Sequence, residues 1–223
     1  MILSLAQVLT PEELNLITER LDATDFIDGK TTAGWHAKVV KHNTQLTNRA
    51  TYAQDLKDLV KKALWRNQLF QIAVQPKIVH SMLFSRYEAG MSYGSHVDNA
   101  LMGNQNKLRS DVSLTVFLSK PSTYDGGELV LENFEGEQTF KLEAGDAIVY
   151  PSSFLHRVEP VTEGVRLVAV AWVQSLVREP QEREILFDLD TARRAIFHKD
   201  GKTIEFDLIS KSHSNLLRKW ADV

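Results

Sequence analysis

His96-Val97-Asp98 places an imidazole and a carboxylate two residues apart, and His156 offers a second imidazole from far along the chain. On an extended strand, side chains at i and i+2 leave the same face. One imidazole nitrogen and one carboxylate oxygen can then reach a single ion, each at about 2.0–2.2 Å. Two histidines and one carboxylate make a facial triad that leaves the opposite positions of a metal open, which suits non-haem iron(II) and oxygen chemistry, with zinc as the competing metal. Alone, His-x-Asp is a weak signal, since a strand end running into a loop produces it equally well. His156 lies in Phe154-Leu155-His156-Arg157-Val158 and shares a face with Phe154. There a hydrogen-bonded core histidine is the plain alternative to a ligand.

Arg166 follows ten residues after His156 and is the one charge in the apolar run Val165 to Val173. The turn from Pro160 to Gly164 lets the chain double back and carry Arg166 toward the metal end. A buried guanidinium needs a partner, and it grips a carboxylate through two parallel hydrogen bonds that lysine cannot reproduce. An internal salt bridge to Glu128 or Asp146 is the competing role.

These residues must be held by strands. After Pro76 come short runs rich in Val, Leu, Phe and Tyr: 78–87, 113–118, 128–132, 138–142, 147–150, 155–159 and 165–174. Turn signals separate them at Asp125-Gly126-Gly127, Glu135-Gly136, Ala144-Gly145-Asp146, Pro151-Ser152-Ser153 and Thr162-Glu163-Gly164. Many short strands with no helices between them imply a sandwich or barrel. Helices flank this middle. Thr10-Pro11-Glu12-Glu13 reads as a capped helix start. Residues 48–69 read as an amphipathic helix. Between them, 29–46 reads as a loop with a short strand at His36–Val40. From Pro180 a helix carries Ile185, Leu189, Ala192 and Ile196 on one stripe, stops at Gly201, and is followed by another over 208–220. The expected organisation is an N-terminal helical and loop support (1–76), a β core (77–175) and a helical C-terminal extension (176–223).

Composition bounds the rest. The 223 residues are 43% hydrophobic and 25% charged, with 26 basic and 29 acidic side chains and a formal charge of -3, an ordinary globular mix. No whole-domain nucleic-acid binder is indicated. There is no cysteine, which excludes disulfides, zinc–thiolate sites and a thiol nucleophile. No stretch approaches the ~20 apolar residues of a membrane span, and the start lacks a secretory pattern, so a cytoplasmic protein is expected. Two basic segments, 29–46 with Lys30, Lys38 and Lys41, and 99–110 with Lys107 and Arg109, contain no acid. Flanking the site mouth, they would favour an anionic or acidic-peptide substrate, with a plain solvated lysine surface as the alternative. The remaining histidines (36, 42, 80, 198 and 213) read as surface or packing residues.

The run Arg86-Tyr87-Glu88-Ala89-Gly90-Met91-Ser92-Tyr93-Gly94-Ser95-His96-Val97-Asp98-Asn99 resembles the prolyl-4-hydroxylase branch of the Fe(II)/2-oxoglutarate-dependent dioxygenases. Tyr124-Asp125-Gly126-Gly127-Glu128-Leu129, Tyr150-Pro151-Ser152-Ser153 and Trp172-Val173-Gln174-Ser175 resemble, more narrowly, the bacterial PKHD-type hydroxylases, and the likeness runs over nearly the whole chain. It implies a double-stranded β-helix (jelly roll) core in a mostly β chain, and a hydroxylase that couples oxidative decarboxylation of 2-oxoglutarate to hydroxylation of a small-molecule or peptide substrate. By this resemblance His96, Asp98 and His156 form the catalytic iron(II) site, Arg166 holds the distal carboxylate of 2-oxoglutarate, and Tyr87 hydrogen-bonds the co-substrate. L-ascorbate dependence and a link to bacterial iron uptake are also implied. The sequence departs from some animal relatives at Phe117, which stands where a second co-substrate tyrosine would donate. A non-catalytic metal or 2-oxoglutarate sensor on the same fold is the alternative, and the homo-oligomeric state is left open.

Overall fold

The computed structural model describes residues 1–22, 26–103, 105–134 and 136–223, so the expected turn at Glu135-Gly136 lies partly outside the described residues. Two antiparallel sheets make the centre. The larger has seven strands in the order Leu3–Leu5, Ala147–Pro151, Val112–Phe117, Arg166–Ser175, Pro76–Tyr87, Thr44–Leu46, Phe26–Asp28. The smaller has five, in the order Gly136–Phe140, Leu129–Asn133, Leu155–Val158, Ser92–His96, Lys41–His42. Successive strands cross between the sheets, so this is the expected jelly roll, in a mostly β chain with flanking helices.

Alternation along the strands divides the core in two. On Val112–Phe117, residues Leu114 and Val116 face the helices while Phe117 faces the smaller sheet. One buried cluster joins the large sheet to α1 (Pro11–Asp22), α2 (Ala53–Arg66) and α3 (Gln68–Val74) through Ile17, Leu56, Val60 and Phe70. The other, with Leu129, Leu131, Ile148, Tyr150 and Val168, fills the space between the sheets. Each such fully buried side chain contributes about 1.5–3 kcal/mol.

The start of α1 is the reciprocal cap expected from Thr10 and Glu13. Thr10 N donates to Glu13 Oε2 at 2.9 Å, and Glu13 N donates to Thr10 Oγ1 at 3.2 Å. Other expectations need correction. The helix anticipated over 48–69 is two helices, because Asn67 leaves helical geometry and its side chain accepts from Phe70 N at 2.9 Å, starting α3. The strand expected at His36–Val40 is instead a 3-10 turn at Ala37–Val39, followed by strands at Lys41–His42 and Thr44–Leu46. In α4 (Pro180–Asp200) the buried residues are Arg183, Leu186 and Asp190, whereas Ile185 is exposed. Polar groups can face inward there because Arg183 donates to the carbonyls of Val177 and Arg178, and Asp190 pairs with Arg193 and Arg194. α5 (Ile204–Trp220) packs on α4.

Candidate metal centre

His96 closes the strand Ser92–His96, and His156 lies on Leu155–Val158 directly across from it in the antiparallel register. The ladder therefore sets the two imidazoles side by side, with ring centroids 4.2 Å apart. Asp98 lies just beyond the strand end rather than on it, so strand alternation alone does not aim its carboxylate. A hydrogen bond does. Ser113 Oγ, on the large sheet, donates to Asp98 Oδ2 at 2.6 Å and lies 2.8 Å from Ser152 Oγ. Asp98 Oδ2 is then 3.7 Å from His156 Nε2, and one ligand atom from each of the three residues lies within 4.8 Å of the others.

Both histidines turn Nδ1 to a backbone carbonyl. His96 Nδ1 lies 2.8 Å from the carbonyl of Gly94, and His156 Nδ1 lies 3.1 Å from that of Phe154. A carbonyl only accepts, so each Nδ1 carries a proton, which leaves Nε2 as the nitrogen available to a metal. Burial, and then the neighbouring His156, push the His96 imidazolium well below the ordinary histidine range, which keeps the ring in its ligating form. Tyr93 stacks on His96 at 3.7 Å and Tyr150 meets His156 edge-on at 5.3 Å. Burial raises both phenols above the usual tyrosine range, so they stay neutral at physiological pH. Two neutral imidazoles and one carboxylate, with hydrogen-bonded rear atoms, form a donor set that fits a divalent first-row metal.

The triad opens on a cavity of about 580 Å³ that also reaches Arg166 and Tyr87. These two face each other across paired strands, with the guanidinium carbon 5.1 Å from the Tyr87 ring and 5.6 Å from the Phe117 ring. Arg166 is 1% exposed and its Nε has no hydrogen-bond partner. Neither suggested internal acid reaches it, since Glu128 pairs with Lys141 and Asp146 accepts from Gln7 N. Among the described residues no carboxylate pairs with Arg166. A buried cation without an anion is unfavourable by several kcal/mol. Gly127 makes room for the stem: at φ +68, a Cβ there would lie 3.0 Å from Arg166 Cδ. Burial raises the Tyr87 phenol, against the pull of Arg166, leaving a protonated hydroxyl able to donate.

Several members of the site carry no motif-like spacing. In the sequence Ser113 stands only as the start of a strand, Ser152 only within a turn and the Tyr150–Ser153 resemblance, and Lys41 and Asn43 only as part of a basic loop. The structure redistributes those basic residues: Lys30 and Lys38 are exposed and Arg109 is tied to Asp111 at 2.6 Å, while Lys41 is 5% exposed and lines the cavity. Ser113→Ala is expected to weaken divalent-metal affinity about 10–100-fold, as loss of a group that orients a ligand does. Titrating metal into the purified variant and following the melting temperature measures it.

Residues 82–174 match the profile described as the 2OG-Fe(II) oxygenase superfamily. A PKHD-type hydroxylase of Rippkaea orientalis is 61% identical over 220 residues, 99% of each chain, and one of Acaryochloris marina is 62% identical over 222 residues, 100% of each. Among solved structures, a Pseudomonas putida prolyl-4-hydroxylase superposes with TM-score 0.53 at 20% identity, over 78% of this chain and 92% of that one. A Trichoplax adhaerens prolyl hydroxylase, solved with a hypoxia-inducible-factor peptide fragment, gives TM-score 0.55 at 14% identity, over 82% and 86%. With identity this high over the full length of both relatives, the chain belongs to the PKHD-type hydroxylases of the 2OG-Fe(II) oxygenase superfamily.

Proposed function

We propose that His96, Asp98 and His156 hold iron(II), that Arg166 with Tyr87 seats the distal carboxylate of 2-oxoglutarate, and that the hydroxylation occurs on a small molecule or peptide entering the same cavity. The chain is a 2-oxoglutarate-dependent dioxygenase by family. The observation that carries the residue assignment is a fully buried arginine with no acid partner among the described residues, opening on the cavity that holds a His/Asp/His cluster. Iron(II) and 2-oxoglutarate supply the oxygen chemistry, coupling decarboxylation to succinate with hydroxylation of the second substrate. The protein's part is placement and exclusion of water. The Nδ1–H bonds to Gly94 and Phe154 fix the two imidazoles. Ser113 fixes the carboxylate, and Arg166 between the Tyr87 and Phe117 rings offers a dry, oriented guanidinium. Where Phe117 replaces a donor, the Tyr87 hydroxyl remains for the co-substrate. L-ascorbate as supporting reductant, a cytoplasmic location and a role connected with iron uptake belong to the same reading. None of the described helices is long and apolar enough to cross a membrane.

Anaerobic addition of iron(II) and 2-oxoglutarate should give a metal-to-ligand charge-transfer band, and admitting air should then release succinate. A band without succinate would favour the sensor alternative. Absence of both would sink the assignment.

A further inference from the structure

The charged lining of the cavity is cationic apart from Asp98, and beyond Arg166 it includes Lys41, Lys57, Lys61 and Lys107. Lys57 and Lys107 have partners nearby, Asn48 Oδ1 at 2.6 Å and the Gly103 carbonyl at 2.8 Å. Lys41 is different. It is 5% exposed, and its Nζ makes one hydrogen bond, 3.1 Å to Thr32 Oγ1. Among the described residues no carboxylate forms an ion pair with it. Its other two donors make no hydrogen bond within the protein. Its strand pairs Lys41 with Tyr93, whose ring centre is 5.1 Å from Nζ and stacks on His96. The ammonium is thus one aromatic ring from the triad, while Arg166 pairs with Tyr87 on the other sheet.

Two residues on stands a second orphan. Asn43 is 3% exposed, lines the same cavity, and neither its Nδ2 nor its Oδ1 has a well-formed hydrogen bond. The Tyr87 phenol feels the amide, but without good bonding geometry. Lys41 on the smaller sheet, Gln45 on the larger and Asn43 at the crossing between them are all buried and line the same cavity. Gln45 is fixed by Thr32 Oγ1 at 2.5 Å and Ser85 Oγ at 3.2 Å, which makes the wall under the two orphans rigid. A chain needing only packing at these positions would place apolar side chains there, because an unsatisfied buried polar group is destabilising.

On the reading that Arg166 takes 2-oxoglutarate, we propose that Lys41 and Asn43 form a separate recognition subsite for an anionic group, foremost a carboxylate, on the substrate to be hydroxylated. The ammonium meets the oxyanion, the Asn43 amide donates beside it, and the substrate is held with its anionic end next to Tyr93.

The test uses protein saturated anaerobically with iron(II) and 2-oxoglutarate, so that Arg166 is occupied, titrated calorimetrically with hexanoate, hexanamide and hexyl phosphate. Hexanoate should bind roughly tenfold or more tighter than hexanamide, the scale of one charged hydrogen bond. Lys41→Met should erase that preference, Lys41→Arg should keep most of it, and Lys38→Met, at an exposed lysine, should leave it intact. Lys41→Met should also raise the melting temperature, by about 2–4 °C, because a buried charge whose desolvation outweighs the pull of Asp98 and Asp28 is removed. A purely structural lysine would lower it. Tighter binding of hexyl phosphate than of hexanoate would keep the subsite and assign it to phosphate esters. Equal binding of acid and amide, a preference that survives Lys41→Met, or a matching loss of 2-oxoglutarate affinity in Lys41→Met would each overturn the proposal. If the charge-transfer band forms and the acid preference is missing, only this subsite fails. If no band forms, the co-substrate assignment fails first.

Discussion

Asp98→Ala should leave a folded protein that no longer holds iron(II) at concentrations saturating the parent. Structural zinc sites yield roughly 10–16 kcal/mol over four ligands, about 2.5–4 kcal/mol each, so losing one of three ligands should weaken affinity on the order of 10²–10³-fold. The anionic ligand should sit at the upper end, since the two imidazoles left behind are neutral. Ser113 Oγ also loses its acceptor, although Ser152 Oγ at 2.8 Å can still take its proton. Three readouts follow together. The charge-transfer band disappears, succinate release falls to background, and the metal-induced rise in melting temperature, which any ligand bound only to the folded state must produce, is lost. Retention of that rise in Asp98→Ala would mean that the metal sits elsewhere.

Arg166→Ala should behave in the opposite way. Metal binding, and its effect on melting temperature, should persist, because no triad atom depends on the guanidinium. The 2-oxoglutarate requirement should climb by about 10²–10⁴-fold, since removing one partner of a buried, hydrogen-bonded charge pair costs about 3–5 kcal/mol. Arg166→Lys should fall between, keeping the charge and losing the fork. A co-substrate without the distal carboxylate, such as 2-oxobutyrate, should discriminate little between parent and variant. Should iron binding vanish along with the co-substrate, Arg166 would be a structural residue of the core.

How much of this is legible in the sequence depends on whether a residue's role is local. The strand alternation that puts His156 and Val158 inward and Leu155 and Arg157 outward is a two-residue pattern, and it holds. The Thr10–Glu13 cap is equally local. Arg166 stands out because a lone charge within an apolar strand contributes nothing to packing and must answer to some anion. What the chain does not display locally is tertiary. Alternation from His96 to Asp98 requires a strand through both, yet the strand stops at His96, and a serine fifteen residues away from Asp98 aims the carboxylate. Residues 29–46 have the composition of a polar loop because Lys, Asn and Gln are turn and surface types. Pairing of Lys41–His42 in the smaller sheet and of Thr44–Leu46 in the larger turns them inward. In α4 the apolar stripe is not the core side, because Arg183 and Asp190 are satisfied within the fold and can be buried instead.

The direct pairing of His96 with His156 has a consequence for how such an enzyme diversifies. Two donor atoms are spaced by the sheet itself, so neither the 99–111 connection nor the 159–165 turn has to define their separation. Those segments can lengthen, shorten or change chemistry while the paired backbone keeps the ligand spacing unaltered. Acceptance of new target molecules is in this way uncoupled from upkeep of the reactive centre, and drift at the entrance need not pass through inactive intermediates.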